Sequence, residues 1–195
     1  MRIIVTGTTG GIGGAVADAA QRRGHDVLAF NRAEFDALAC GPGAPFPVAG
    51  PFDALVFCTG TCPVRPVALT SDELLAETVR VNCGLFLSLM RRIVAGRLYA
   101  ASGLRAVAIS SVSAAEGWAG GAAYCASKGA LSAMCRALDV ELAPKKISVC
   151  ALEPRYVKTK MFDNCAGRMG ANPALARAPE DFAGDVLAAI EGEKK

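Results

Sequence analysis

Short apolar runs alternate with amphipathic stretches along this chain, and the alternation predicts a parallel sheet flanked by helices. "RIIVTG" (2–7) is a brief apolar run ending at glycine and reads as a strand. "GIGGAVADAAQRRG" (11–24) has helical composition, basic residues in its last turn and Gly24 as a stop. "DVLAF" (26–30) reads as a second strand, completing a βαβ unit. "RAEFDALACG" (32–41) fits a short helix and "APFPV" (44–48) a short or vestigial strand, with prolines at 42, 45, 47 and 51 limiting regular structure. "FDALVFCTG" (52–60) is a buried strand, and residues 70–97 form one or two helices with Thr70 or Ser71 as N-cap. "LRAVAISS" (104–111) is the next strand, followed by a loop through Gly121 and a helix to about Ala143. "KISVCALEP" (146–154) is the last strand visible in the pattern. "APEDFAGDVLAAIEG" (178–192) is the last helix, with Pro179 in its first turn and acids close behind. With no repeat and no linker, the order argues one α/β domain over residues 1–195, a three-layer αβα doubly wound parallel sheet of the Rossmann type.

Composition narrows the partners. The net charge is only +3, with acids and bases interspersed, which gives no argument for nucleic acid. No uncharged run has the 18 or more predominantly apolar residues of a membrane span, and the start lacks the apolar core of a secretory signal. The expectation is a soluble, cytoplasmic protein. Eight cysteines (40, 58, 62, 83, 125, 135, 150, 165) are spread without a Cys-x-x-Cys pair, and the one histidine, His25, falls in a helix-to-strand turn. That spacing predicts no metal site and free, mostly buried thiols.

Four stretches carry candidate chemistry. "TGTTGGIGG" (6–14) follows the first strand, where glycines let the backbone turn tightly and approach a pyrophosphate at the helix N-terminus. A glycine turn also occurs with no ligand. After the second strand, "AFNR" offers no acid for the ribose hydroxyls of NAD. Arg32 matches the 2′-phosphate of NADP instead, although a solvated arginine is the plainer reading and Glu34 competes as a ribose contact. Ser111 lies at the end of a strand, and Tyr124 and Lys128 stand four apart on the next helix, facing the same way. An ammonium beside a phenol favours the phenolate, so Tyr124 could exchange a proton with a developing alkoxide. Such pairs also arise as bystanders on packing helices. "LEPRYVKTKM" (152–161) reads as a loop at the carboxyl edge, with Thr159 offering a hydroxyl and Met161, Phe162 and Met169 an apolar wall.

Taken in order, these features resemble the short-chain dehydrogenase/reductase family. The resemblance rests on Thr6-Gly7-x-x-x-Gly11-Ile12-Gly13, the "DALVFCTG" strand and Asn82 in "VNCGLF". It rests further on Ser111, Tyr124-x-x-x-Lys128 thirteen positions on, and Pro154-x-x-Val157-x-Thr159. It implies Tyr124 as general acid/base, Lys128 lowering its pKa and binding the nicotinamide ribose, and Ser111 polarising the carbonyl. Asn82 would hold a water that links Lys128 to solvent. Cofactor contacts are implied for Gly7, Thr8, Thr9, Gly11, Ile12 and Gly13, for Asn31 and Arg32, and for Cys58, Thr59 and Gly60. Tyr124, Lys128, Pro154, Val157 and Thr159 complete that set, the last two positioning the carboxamide. The expected activity is NADP(H)-dependent interconversion of a carbonyl and a secondary alcohol, NADP(H) favoured over NAD(H), with 3-oxoacyl thioester reduction the favoured specific case.

The chain departs from the family pattern in three ways. The usual Asn-Asn-Ala-Gly turn is Phe57-Cys58-Thr59-Gly60, which loses the asparagine that steadies the central strand. The usual Pro-Gly is Pro154-Arg155, so Arg155 either meets an anionic substrate or points outward. A helix between Arg32 and Asp53 and the last strand of the family are missing from the pattern. The resemblance therefore implies a homodimer rather than a tetramer, through helices near 72–97 and 122–143, where small residues in "ASKGALSAM" (126–134) permit close packing. The departures also motivate a rival reading, a non-catalytic dinucleotide-binding or regulatory protein.

Overall fold

A computed structural model of the chain describes residues 1–31 and 49–192. The short helix and strand expected within residues 32–48, together with Arg32 and Glu34, lie outside the described residues. The strands are β1 (Arg2–Thr6), β2 (Asp26–Phe30), β3 (Ala54–Phe57), β4 (Leu104–Ile109) and β5 (Ile147–Leu152). The α-helices are α1 (Gly11–Arg22), α2 (Asp72–Val79), α3 (Leu85–Ala95), α4 (Ala122–Leu142), α5 (Lys160–Met169) and α6 (Pro179–Glu191).

All pairings are parallel and the sheet order is β2-β1-β3-β4-β5. The central strands β1, β3 and β4 are nearly all apolar because both faces are covered, whereas the edge strands β2 and β5 keep exposed positions. Alternate residues feed the two cores. Ile4, Leu55, Phe57, Ala106 and Ala108 pack with Phe86, Leu89, Ile93, Leu131 and Leu138 of α3 and α4. Ile3, Val5, Val56, Val107 and Ile109 pack with Val16 and Ala20 of α1 and with Phe182, Val186 and Ile190 of α6. The result is the expected three-layer αβα arrangement.

Two local findings refine the expected elements. Residues 72–95 form one rod, in which a wide π turn (Arg80–Gly84) joins α2 to α3 and carries Asn82. Ser71 rather than Thr70 caps it, since the Leu74 amide donates to the Ser71 hydroxyl at 3.2 Å. The stretch after Thr159, expected as a loop, is α5. The Thr159 hydroxyl caps it by accepting from the Phe162 amide at 3.2 Å, and Phe162, Cys165 and Ala166 form its buried stripe.

The sheet order also sets where a ligand can sit. From β1 the chain crosses to β2 on one side and returns to β3 on the other, so a crevice opens between the carboxyl ends of β1 and β3. Thr6 and Phe57 are register partners there, and Phe57 in turn is level with Ala108. The turns after β1, β3, β4 and β5 therefore converge on one edge.

Candidate active site

The glycine turn is built by close backbone packing. Gly7 has φ of 70°, and a Cβ there would lie 2.9 Å from the carbonyl carbon and oxygen of Cys58. Only glycine meets both conditions. A Cβ on Gly13 would run into the Gly7 carbonyl, and one on Gly11 would come 2.7 Å from Thr159 Cγ2. The turn after β1, the turn after β3 and the start of α5 are thus locked against one another. Helix α1 begins with no acid in its first turn and no side-chain cap at Gly10. Its N-terminal amides and dipole suit an anion, and the bare backbone lets a pyrophosphate approach.

The altered turn after β3 has its own tie to the central strand. The Thr59 hydroxyl donates to the buried Thr6 hydroxyl at 3.0 Å, and the Cys58 amide donates to the same oxygen at 3.2 Å. These bonds hold the crossing that the missing asparagine was expected to leave unsteadied.

Ser111, Tyr124 and Lys128 come together beyond β4. Ser111 follows β4 by two residues, and its hydroxyl accepts from the Ser113 amide at 3.1 Å, which tightens the following 3-10 turn. Tyr124 lies in the first turn of α4 and Lys128 one turn on, both buried. Lys128 Nζ donates to the Ile109 carbonyl at 2.7 Å and stands 5.8 Å from the centre of the Tyr124 ring. Asn82 is fully buried. Its Oδ1 accepts from the Thr61 amide at 2.7 Å, and its Nδ2 donates at 2.8 Å to the Thr61 carbonyl and to Ser127 Oγ. The Ser127 hydroxyl donates to the Tyr124 carbonyl at 2.7 Å, so Asn82 reaches the tyrosine's turn through one intermediary.

The electrostatics correct one expectation. Burial pushes the Tyr124 phenol above its usual value, charge on the nearby Cys62 adds to that, and a hydrogen bond from Ser111 pulls the other way. The net shift is upward, so the phenol stays protonated at neutral pH even with the Lys128 ammonium beside it. Burial acts on Lys128 too, taking the ammonium from 10.5 to about 8.

One cavity of about 500 Å³ joins these parts. Gly7, Thr9, Gly11, Ile12 and Gly13 line one end, with Cys58 and Gly60 beside them. Ser111, Tyr124 and Lys128 lie further in, and Pro154, Val157 and Thr159 form another wall. Met161, Phe162 and Met169 supply the apolar side that the sequence suggested. Asn82 and Thr59 are not part of this lining: Asn82 stands behind Gly60, and Thr59 turns to Thr6. Thr8 sits in the glycine turn, where its amide lies 3.4 Å from the Phe30 carbonyl, and Asn31 directly follows β2. Arg155 reaches the mouth of the cavity, where its guanidinium donates to both carboxylate oxygens of Glu116 at 2.6 and 3.1 Å. No group of three or more His, Cys, Asp or Glu is placed to hold a metal among the described residues. None of the described helices is long and apolar enough to cross a membrane.

Trp118 and Ser127 were not singled out from the sequence. The Trp118 ring centre lies 6.3 Å from that of Tyr124, and its Nε1 donates to Ser113 Oγ at 3.1 Å. The legible signal was its standing as the one tryptophan, six residues before Tyr124. In the sequence Ser127 stands only as one of the small residues of "ASKGALSAM".

A parallel doubly wound sheet with a glycine turn at its switch point and a Ser/Tyr/Lys cluster beside it defines a dinucleotide-dependent oxidoreductase architecture. The short chain dehydrogenase model matches residues 47–169. Short-chain reductase protein NovJ of Streptomyces niveus is 32% identical over an alignment spanning 87% of this chain and 74% of its own. L-xylulose reductase of Mesocricetus auratus is 28% identical across 82% of this chain and 73% of its own. Among solved structures, a Beutenbergia cavernae protein assigned as an NAD(P)-dependent gluconate 5-dehydrogenase, with NADP bound at low occupancy, superposes with a TM-score of 0.76. It shares 28% identity and covers 96% of this chain and 88% of its own. The chain belongs to the short-chain dehydrogenase/reductase family, enzymes that act on CH–OH and C=O groups with NAD(P).

Proposed function

We propose that this chain is an NADPH-dependent carbonyl reductase in which Tyr124 is the general acid. The observation that carries this reading is the cavity itself, where the Tyr124 phenol, the Ser111 hydroxyl and the Lys128 ammonium open onto the same space as the glycine turn. Gly7, Gly11 and Gly13 line the cavity with bare backbone packed too tightly on Cys58, Thr159 and Gly7 to admit a Cβ, and the acid-free start of α1 suits the pyrophosphate of a dinucleotide. A nicotinamide bound there supplies or takes up hydride. Ser111 hydrogen-bonds the substrate carbonyl oxygen, and Tyr124 gives its proton to that oxygen as charge develops. Lys128 places a positive charge behind the phenol and steadies the phenolate left after the transfer. Asn82 fixes the turn that holds Thr61 and, through Ser127, the first turn of α4. A buried phenol held protonated at neutral pH suits the reductive direction.

NADP(H) is preferred to NAD(H). Arg32, the second residue after β2 in the sequence, is chemically matched to a 2′-phosphate, and the Beutenbergia relative was solved with NADP bound. The favoured substrate class is a 3-oxoacyl thioester. It is supported by the apolar wall of Met161, Phe162 and Met169 beside a rim bearing Arg155, Lys158 and Lys160. A homodimer through α2, α3 and α4 is supported by Leu75, Leu87 and Val140, which are 40%, 43% and 79% exposed on those helices.

The test is NADPH oxidation over a panel of ketones, quinones and 3-oxoacyl thioesters. Turnover on the thioesters ahead of the rest supports the full reading. NADPH binding with no turnover on any carbonyl would favour the non-catalytic, regulatory alternative. Arg32→Ala should weaken NADPH far more than NADH, and equal weakening would remove Arg32 from recognition of the 2′-phosphate.

A further inference from the structure

The indole of Trp118 is tied to both sides of the reacting end of the cavity, although neither Trp118 nor Ser113 lines the cavity itself. Its ring centre lies 6.3 Å from that of Tyr124 with the planes tilted by 54°, within the range where aromatic rings attract. Its Nε1 can only donate, and gives its hydrogen to Ser113 Oγ at 3.1 Å. Ser113 is buried in the 3-10 turn Val112–Ala114, and its amide donates to Ser111 Oγ at 3.1 Å. The Ser111 hydroxyl thus accepts from the turn, which leaves its one hydrogen to donate to a substrate oxygen. The backbone leaves the indole a seat. A Cβ on Gly121 would run into Trp118 at Cε2, Cδ2 and Cζ2, while φ there is −96°, so contact rather than backbone strain demands glycine. The Gly121 amide donates to the Trp118 carbonyl at 3.1 Å, closing the turn one residue before α4. The Gly120 carbonyl accepts from the Arg65 amide at 3.0 Å, which docks that turn on the segment after β3.

We propose that Trp118 is a positioning residue for the reduction: it holds the Tyr124 ring directly and the Ser111 hydroxyl through Ser113, so that both meet one carbonyl oxygen. The proposal rests on Tyr124 and Ser111 being the reacting pair. Tyr124 lies on α4 and Ser111 follows β4, so their separation depends on what bridges the two elements. Lys128 makes one bridge, at the Ile109 carbonyl. Trp118 makes the other, from the loop that joins β4 to α4. Rate is sensitive to such placement, since a displacement of about 1 Å can cost about 10²-fold. The indole has the two properties the bridge needs, a ring to set against Tyr124 and a donor for Ser113. Phenylalanine has the first alone, and leucine neither.

The test uses the full chain with NADPH and a carbonyl substrate that it turns over. Trp118→Leu, which loses ring and donor, should lower kcat by about 10–10²-fold with KM and NADPH affinity nearly unchanged. Trp118→Phe, which keeps a ring beside Tyr124, should recover part of the loss. Ser113→Ala should match Trp118→Phe, and the two together should cost no more than either alone, because they break the same bond. Gly121→Ala keeps the indole but evicts it, and it serves even if Trp118→Leu fails to fold. Trp118 is the one tryptophan of the chain, so its emission should move to longer wavelength in Gly121→Ala as kcat falls. Full kcat in a folded Trp118→Leu, or in Gly121→Ala with the emission moved, would overturn the proposal. So would a loss confined to KM, which marks a substrate contact, or an unmoved emission in Gly121→Ala, which removes the seat. A parent chain that binds NADPH and turns over no carbonyl would count against the reductase reading instead, while the Gly121→Ala emission still judges the seat of the indole.

Discussion

Lys128 Nζ donates to the carbonyl of Ile109, the last residue of β4, at 2.7 Å. That bond anchors a buried ammonium to the strand end from which Ser111 follows, and it ties the start of α4 to the sheet. Burial lowers the ammonium to about 8. The charge that steadies the Tyr124 phenolate is therefore present below that pH and lost above it. The reductase rate should fall as pH rises through about 8, with the slope of a single proton. Stability runs the other way. Between about 8 and 10.5 the unfolded chain holds this proton and the folded chain does not, so the lysine's contribution to stability grows with pH across that window. Rate and urea-midpoint profiles collected together check both signs, and Lys128→Met should flatten the lysine's part of each.

Gly7→Ala tests the crevice. The new methyl meets the Cys58 backbone at 2.9 Å with φ held at 70°, so the chain should lose about 1–3 kcal/mol of stability. NADPH affinity should fall with it, because the displaced neighbour is the turn after β3. Chemical denaturation and a fluorescence titration of NADPH measure the two effects. Gly24→Ala, where φ is 78° with open space around the Cβ, isolates backbone strain from contact.

Asn82→Ala removes the partner of a buried amide and carbonyl at Thr61 and of Ser127. Leaving such groups unpaired should cost about 1–3 kcal/mol. Because Ser127 bonds the Tyr124 carbonyl, kcat should fall more than KM rises, which steady-state kinetics would separate from simple destabilisation.

Arg155→Ala breaks the bond to Glu116, but both side chains are more than half exposed, at 55% and 54%. Solvent screens the pair, so little stability should be lost. The melting temperature should barely move, and any change in KM should be confined to anionic substrates.

The layers and their order were legible because each strand is a short apolar run and each helix carries its own start or stop, as with Gly24 after α1 or Pro179 at α6. Ser111, Tyr124 and Lys128 were legible through spacing, since one helical turn and one strand end fix their relative places. Helix α5 was missed although Phe162, Cys165, Ala166 and Met169 follow a helical period. Gly167 and the polar Asp163, Asn164 and Arg168 between them dilute the signal, and the helix depends on the Thr159 cap and on packing against Tyr156 and Ala176. The Thr59–Thr6 bond was not legible, because only the sheet order brings those residues together. The direction of the Tyr124 shift was also hidden, since it is governed by how deeply the ring is buried. Arg32 rests on sequence alone.

The central claim is that the Tyr124 phenol supplies the proton, and Tyr124→Phe removes that proton while keeping the buried ring. NADPH oxidation with a carbonyl substrate turned over by the parent chain should fall by about 10²–10⁴-fold, with NADPH affinity nearly unchanged. Undiminished turnover in Tyr124→Phe would contradict the account.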